Sequence, residues 1–175
     1  MSSGFEPLRQ VVIGLGNPDR GDDGVGRLVV RLLEGRLGDD VLILEQSGGA
    51  AALLETLREA DWVVLVDAMV SGAPIGSIRR VDCAAGDPLP VKPGASSHGL
   101  GVAEAIGLAR ALGCLPRACV VFGVEASRFD PGTGLSPAVA AAAHAVAGRI
   151  GCEVVETKKT PPPLEGGGWG EGAVG

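Results

Sequence analysis

Residues Gln10 to Gly26 read QVVIGLGNPDRGDDGVG. The apolar run Val11-Val12-Ile13 stops at Gly14-Leu15-Gly16-Asn17-Pro18. A polar loop then delivers the carboxylates Asp22 and Asp23, and Val25, Leu28, Val29, Leu32 and Leu33 recur at helical spacing. Strand, glycine turn, acidic loop and helix, in that order, open an α/β sheet. In such sheets ligands sit in the crevice outside the carboxyl ends of the strands.

The turn is not a dinucleotide fingerprint. Gly14 and Gly16 supply two glycines of G-x-G-x-x-G, but the third position is Asp19. Asp19, Asp22 and Asp23 would repel a pyrophosphate, and no Gly-Lys-Ser/Thr follows as a Walker loop requires. Oxygen ligands on a strand-to-helix loop suit a cation better. The competing reading is that Asp22 or Asp23 merely caps the helix, where Asp is favoured.

The 175-residue chain is expected to form one α/β domain over residues 1–156, followed by a disordered Pro/Gly-rich tail over 157–175. A hydrophobic content of 46% gives it a full core. No apolar stretch reads as long enough to span a bilayer, and the first ten residues carry no signal pattern, so a cytoplasmic protein without a membrane partner is expected. The net charge of −6 and the absence of tyrosine argue against nucleic acid as a partner. Cys83, Cys114, Cys119 and Cys152 form no C-x-x-C pair and read as free thiols, Cys119 within a buried strand.

Taken in order, the first helix is expected from Gly24 to about Leu37. A short strand follows over Val41–Leu44, then a helix over Ala50–Glu59. Trp62-Val63-Val64-Leu65-Val66 is a continuous apolar run, as in a central parallel strand covered on both faces, and it ends at Asp67. Residues 76–82, with Arg79 and Arg80, read as a polar edge strand running antiparallel, because the link before them is too short for a parallel crossover. Ser96-Ser97-His98 is expected to open a helix running to about Leu112, with Ser96 or Ser97 as its cap and Val102, Ala105, Ile106, Ala109 and Leu112 inward. The last core strand covers Ala118–Val124, and Ser136-Pro137 opens a final helix.

Three groups fall at equivalent places. Asp23 follows the first strand, Asp67 ends the third, and His98 opens the helix after the edge strand. Two carboxylates and one imidazole make a mixed set suited to a divalent transition metal with open positions, such as zinc, nickel or manganese. Taken singly, Asp67 could serve a local turn and His98 simply lie in a first helical turn. Glu125, at the same rim, is a candidate to support the ligands from behind or to cap the next turn. His144, in an alanine-rich helix, is assigned no role.

At these residues the chain resembles the hydrogenase maturation proteases, which process the large subunit of nickel–iron hydrogenases. The likeness rests on Gly14-x-Gly16-Asn17, Asp22-Asp23-Gly24-x-Gly26, Val66-Asp67-Ala68, His98-Gly99-Leu100-Gly101, Gly123-Val124-Glu125 and Gly134-Leu135-Ser136-Pro137. It implies a three-layer sandwich of the phosphorylase/hydrolase-like kind: a twisted mixed sheet of about five strands, one of them an antiparallel edge strand, between helices. It implies a metal-dependent, aspartic-type endopeptidase that removes a C-terminal extension from the precursor after nickel has entered. The nickel is carried by the substrate, and zinc or cadmium could take its place at the site. The family's metal-contacting positions fall on Asp23, Asp67 and His98. Some relatives carry Glu at the position of Asp23, a difference of one methylene and on the order of 1.5 Å of reach. Asn17, Asp22, Gln46 and Glu125 are the remaining candidates, as supports or on a substrate-facing loop. Relatives often carry Asp-Gly-Gly-Thr after the second strand where this chain has Glu45-Gln46-Ser47-Gly48-Gly49. No nucleophile or general base is assigned.

Two other functions fit parts of the sequence. Gly14-Leu15-Gly16-Asn17-Pro18 also opens the peptidyl-tRNA hydrolases, but their Thr-Arg-His-Asn segment is missing here and the acidic charge opposes a tRNA substrate. A non-catalytic accessory protein that binds nickel or the hydrogenase without cutting it is the other.

Overall fold

The computed structural model describes residues 9–89 and 97–159. The strands are β1 (Gln10–Leu15), β2 (Val41–Gln46), β3 (Trp62–Met69), β4 (Ile78–Asp82) and β5 (Ala118–Glu125), and the helices are α1 (Val25–Leu33), α2 (Ala50–Glu59), α3 (Ser97–Ala111) and α4 (Pro137–Lys159). A short 3-10 turn, Gly21–Gly24, leads into α1. The sheet runs β2-β1-β3-β5-β4, with β4 antiparallel to β5 at one edge and the other pairs parallel. The expected mixed sheet with one polar, antiparallel edge strand is therefore observed.

Alternation along the strands divides the core into two layers. Val12, Val64, Val66, Val120 and Phe122 pack with α1 and α4 on one face. Val11, Ile13, Leu65, Cys119 and Val121 pack with α2 and α3 on the other. Because β3 is covered on both faces, every residue from Trp62 to Val66 is buried, which is why it reads as an unbroken apolar run.

Three details differ from the sequence reading. Helix α1 stops at Leu33 rather than near Leu37, because Gly35 takes a left-handed φ of 69° one residue beyond the C-cap Glu34. Leu112 is 63% exposed, since α3 ends at Ala111 and the chain turns through Gly113 to bring Cys114 and Leu115 against the core instead. Helix α4 is long and apolar enough over Pro137–Glu156 to cross a membrane by length and composition, contrary to expectation. Its Val139, Ala143, Val146 and Ile150 are fully buried against the sheet, so its apolar stripe is that of a core helix. The helix extends to Lys159, three residues into the stretch read as a tail, and residues 160–175 lie outside the described ones.

The first turn of α1 approaches the sheet more closely than any side chain would allow. A Cβ placed on Gly26 would overlap the carbonyl oxygens of Val66 and Leu15, and one on Gly14 would overlap the carbonyl of Gly26. Backbone cannot yield as a flexible side chain can. Gly26→Ala is expected to lower unfolding free energy by roughly 3 kcal/mol or more. Gly148→Ala, in α4 with open space around the added methyl, should leave stability unchanged or raise it by up to about 1 kcal/mol. Urea midpoints of the two variants check this; a Gly26→Ala protein as stable as the parent would contradict the close approach.

Candidate functional site

Strands β1 and β3 lie side by side, but the chain leaves them in different directions. From β1 it crosses through α1 to β2 on one side, and from β3 it goes to the far edge at β4. The carboxyl ends of β1 and β3 thus flank a topological switch point, the place where open α/β sheets bind ligands. Asp23 and Asp67 both stand there. Asp67 comes one residue after the last β1–β3 pair, Gly14 with Val66, and lies opposite Gly123 of β5.

Asp23 is 2% exposed, in the 3-10 turn. Its Oδ2 accepts a hydrogen bond from the Asn17 backbone N–H at 3.0 Å. Gly16 has φ 105°, and a Cβ there would overlap the Asp23 carbonyl oxygen, so the turn needs glycine both for its conformation and for room. The Asn17 side-chain Oδ1 accepts from the Asp19 N–H at 2.9 Å and shapes the same turn. Asn17 therefore positions Asp23 through its backbone.

Asp67 is 6% exposed, and its Oδ1 accepts from the Ala68 N–H at 2.9 Å. Burial first, and the nearby charge of Asp23 second, push its carboxyl up to about 7 against the pull of the Ala68 N–H. Two buried carboxylates, near enough for the charge of one to raise the pKa of the other, carry an electrostatic cost at the rim that a divalent cation would relieve.

His98 lies in the first turn of α3, one helical turn before Val102, which packs in the same layer as Leu65 of β3. By strand alternation, Asp67 continues the Val63–Leu65 face toward that layer. The backbone thus brings the start of α3 to the side of the sheet that Asp67 faces; the His98 side chain lies outside the described residues. Close to this point, a Cβ on Gly101 would overlap the Gly48 carbonyl oxygen, so the start of α3 seats directly on the loop after β2.

The other candidates serve different purposes. Asp22 is fully buried, and its carboxylate accepts three backbone N–H bonds: from Ser136 at 2.7 Å, Arg128 at 3.1 Å and Ser127 at 3.2 Å. Burial raises its pKa, but these bonds outweigh that effect and hold it below the usual carboxylate range. Asp22 ties the acidic loop to the segment before α4. Glu125 is likewise buried, and it accepts from the Ser71 hydroxyl at 2.7 Å, the Ser71 N–H at 2.8 Å and the Gly72 N–H at 2.8 Å. It fixes the turn after β3, more than fifty residues back along the chain, rather than capping the turn that follows its own strand. Gln46 ends β2, and its Nε2 donates to Thr56 Oγ1 of α2 at 3.1 Å. Exposed His144 stands apart from the rim.

Arg27 is a contributor that sequence reasoning did not select. Its Nε donates to the Gly16 carbonyl at 3.0 Å and its guanidinium pairs with Glu45 at 2.8 Å. Arg31 also pairs with Glu45, at 2.7 Å. Hydrogen bonds from Arg31 and then Arg27 hold the Glu45 carboxyl below its usual range. Together they strap the glycine turn to the end of β2. In the sequence, Arg27 and Arg31 show only as the polar face of a helix, and nothing there indicates a bond to another strand.

Among the described residues no three His, Cys, Asp or Glu side chains gather as a metal-holding group. What those residues bring together is the Asp23–Asp67 pair, with the start of α3 beside it. Comparison with known proteins places this architecture. The profile described as hydrogenase maturation protease matches residues 27–152, a span that includes Asp67 and His98 and begins just after Asp23. The chain is 29% identical over 136 residues to the hydrogenase 2 maturation protease of Escherichia coli, covering 77% of this chain and 83% of that one. It is 31% identical over 135 residues to the hydrogenase expression/formation protein HupD of Thiocapsa roseopersicina, covering 74% of this chain but 60% of that relative's length. The hydrogenase maturating endopeptidase HybD from E. coli superposes with a TM-score of 0.75 at 26% identity, covering 86% of this chain and 94% of that one. By profile, sequence and fold alike, the chain belongs to the hydrogenase maturation protease family.

Proposed function

We propose that this protein is an endopeptidase that removes the C-terminal extension of a nickel-loaded hydrogenase large-subunit precursor. The observation that carries this reading is the buried carboxylate pair Asp23 and Asp67 at the switch point, with the first turn of α3 and its His98 alongside. Family membership supports the reaction class, and the acid pair supports recognition of a cation delivered with the substrate. Asp23, Asp67 and His98 would hold the nickel that the precursor carries; zinc or cadmium would fit the same donors. Nickel held there would supply positive charge able to dock the cleavage segment and polarise its scissile carbonyl. The roles of this chain's residues are positional. Asn17 and Gly16 hold Asp23 in place, Asp22 and Glu125 fix the flanking loops, and Arg27 anchors the glycine turn. A nearby carboxylate would activate water. The acidic chain, with no membrane or nucleic acid as partner, would work on its precursor in the cytoplasm.

Incubation with nickel-loaded and nickel-free precursor, followed by mass analysis, tests this. The loaded precursor should shorten and the nickel-free one should not, while His98→Ala should lower cleavage by a factor of about 100 or more. Equal cleavage of both precursors would defeat metal recognition, and binding without any change in precursor mass would make the protein an accessory rather than a protease.

The acid pair also predicts a pH effect in metal-free protein. The folded-state pKa of Asp67, about 7, lies above the ordinary 3.8, so the protonated side chain favours the folded state and that advantage is lost as pH rises through 7. Asp67→Asn cannot ionise. Its stability relative to the parent should therefore climb between pH 4 and pH 7 and then level off, with a total gain on the order of 4 kcal/mol at most. Urea unfolding of both proteins in chelator across that range checks the sign; parallel stability curves would mean that burial beside Asp23 does not raise the Asp67 carboxyl.

A further inference from the structure

We propose that Cys83 and Cys119 form an oxidisable dithiol site that closes to a disulfide when hydrogen peroxide reaches Cys83. The two residues lie far from the acid pair, where β4 and β5 separate. The last β4–β5 pair is Asp82 with Val120, and the next step of the antiparallel ladder sets Cys83 opposite Cys119. The Cys83 N–H donates to the Cys119 carbonyl at 2.8 Å, so the ladder continues through this pair. A hydrogen-bonded antiparallel pair holds its Cα atoms about 5.5 Å apart, inside the roughly 4.4–6.8 Å that a disulfide spans. Opposed residues of a ladder put their side chains on the same face, and both cysteines pack in the same core layer. Cys83 is the last residue before the turn, so the backbone on that side is free of further ladder bonds to β5 and can close the remaining gap.

The surroundings give the two sulfurs different roles. The influence of Cys119 lowers the Cys83 pKa against the effect of burial, and the positive charge of Arg110 acts in the same direction against Asp82 and Asp87. The Arg110 guanidinium is held in place by a 2.9 Å hydrogen bond to the Cys83 carbonyl. The Cys119 thiol is pushed up. Cys83 is therefore the attacking thiolate and Cys119 the partner that holds its proton. Both are buried, but Cys83 lies directly beneath the exposed turn Ala84–Asp87, so a small opening of that turn admits a small oxidant. The Cys83 thiolate attacks one peroxide oxygen and the O–O bond breaks. The departing hydroxide takes up a proton to give water, and Cys83 becomes a sulfenic acid. Cys119 sulfur then attacks Cys83 sulfur and the S–O bond breaks. The thiol proton of Cys119 leaves with the hydroxide as a second water. The resulting link would close a loop that contains the whole of α3, the helix that carries His98.

Full-length protein treated with hydrogen peroxide, alkylated and digested without reduction tests the site. The expected product has lost two hydrogen atoms, yields a linked Cys83–Cys119 peptide, is restored by dithiothreitol and melts at a higher temperature than the reduced form. Cys83→Ser should abolish the link, whereas Cys119→Ser should leave Cys83 as a sulfenic acid that dimedone traps. Exposed Cys152 and half-buried Cys114 are internal controls. Recovery of Cys83 and Cys119 as free thiols under peroxide that oxidises Cys152, or a link that runs to Cys114 instead, would overturn the proposal.

Discussion

Burial, and second to it the neighbouring charge of Asp23, makes an ionised Asp67 costly. That placement of two aspartates near each other and away from water is the constraint around which the rim of this protein is built. Nothing in the local sequence requires it. Asp67 could have ended its strand in water, and Asp23 could have sat in an open loop. The chain brings them together because α1 presses its first turn onto β1 and β3, backbone against backbone, through Gly14 and Gly26. A side chain at either glycine would lift the helix and carry the 3-10 turn, with Asp23, away from the end of β3. The glycines that look like half of a nucleotide fingerprint serve to close a gap between two acids.

The sheet order explains why the gap lies where it does. With β1 and β3 adjacent and their outgoing connections diverging, the carboxyl ends of these strands border the crevice that doubly wound sheets reserve for ligands. The same order puts α3 on the layer that Asp67 faces, and Gly101 against Gly48 fixes how near its first turn comes. The loop after β1, the end of β3 and the start of α3 thus converge on one rim, the first and last of them seated by close backbone contacts at Gly26 and Gly101.

Much of this was legible in the sequence. The alternation of layers, the doubly covered β3, the polar edge strand with Arg79 and Arg80, and the opening of α4 at Pro137 all follow from period and composition. The proximity of Asp23 and Asp67 was legible too, once both were placed at strand ends. Boundaries that depend on one glycine were harder: Gly35 ends α1 through its left-handed φ, yet a glycine in a charged stretch reads equally well as a tolerated helix residue. The strap of Arg27 and Arg31 onto Glu45 was not legible at all. It joins a helix face to a neighbouring strand, and no spacing along the chain encodes that distance. The same holds for Cys83 and Cys119, which meet only because β4 returns antiparallel to β5.

Asp22 and Asp23 show how adjacent residues of one type come to opposite ends. A 3-10 turn has three residues per turn, so successive side chains diverge by roughly 120°. One is turned toward the segment before α4, the other toward the crevice. Asp22 meets three backbone N–H groups, keeps its charge below the ordinary carboxylate range, and becomes part of the frame. Asp23 meets the Asn17 N–H and the charge of Asp67. A carboxylate already satisfied by amides has little to gain from a cation, whereas a pair that repels gains the full relief of its repulsion. The capping reading of this loop does not hold, since neither the 3-10 turn nor α1 carries a side-chain cap bond. Asp22 instead pins the loop from behind to the segment before α4, and a loop held in that way can keep Asp23 in the crevice against the charge it faces.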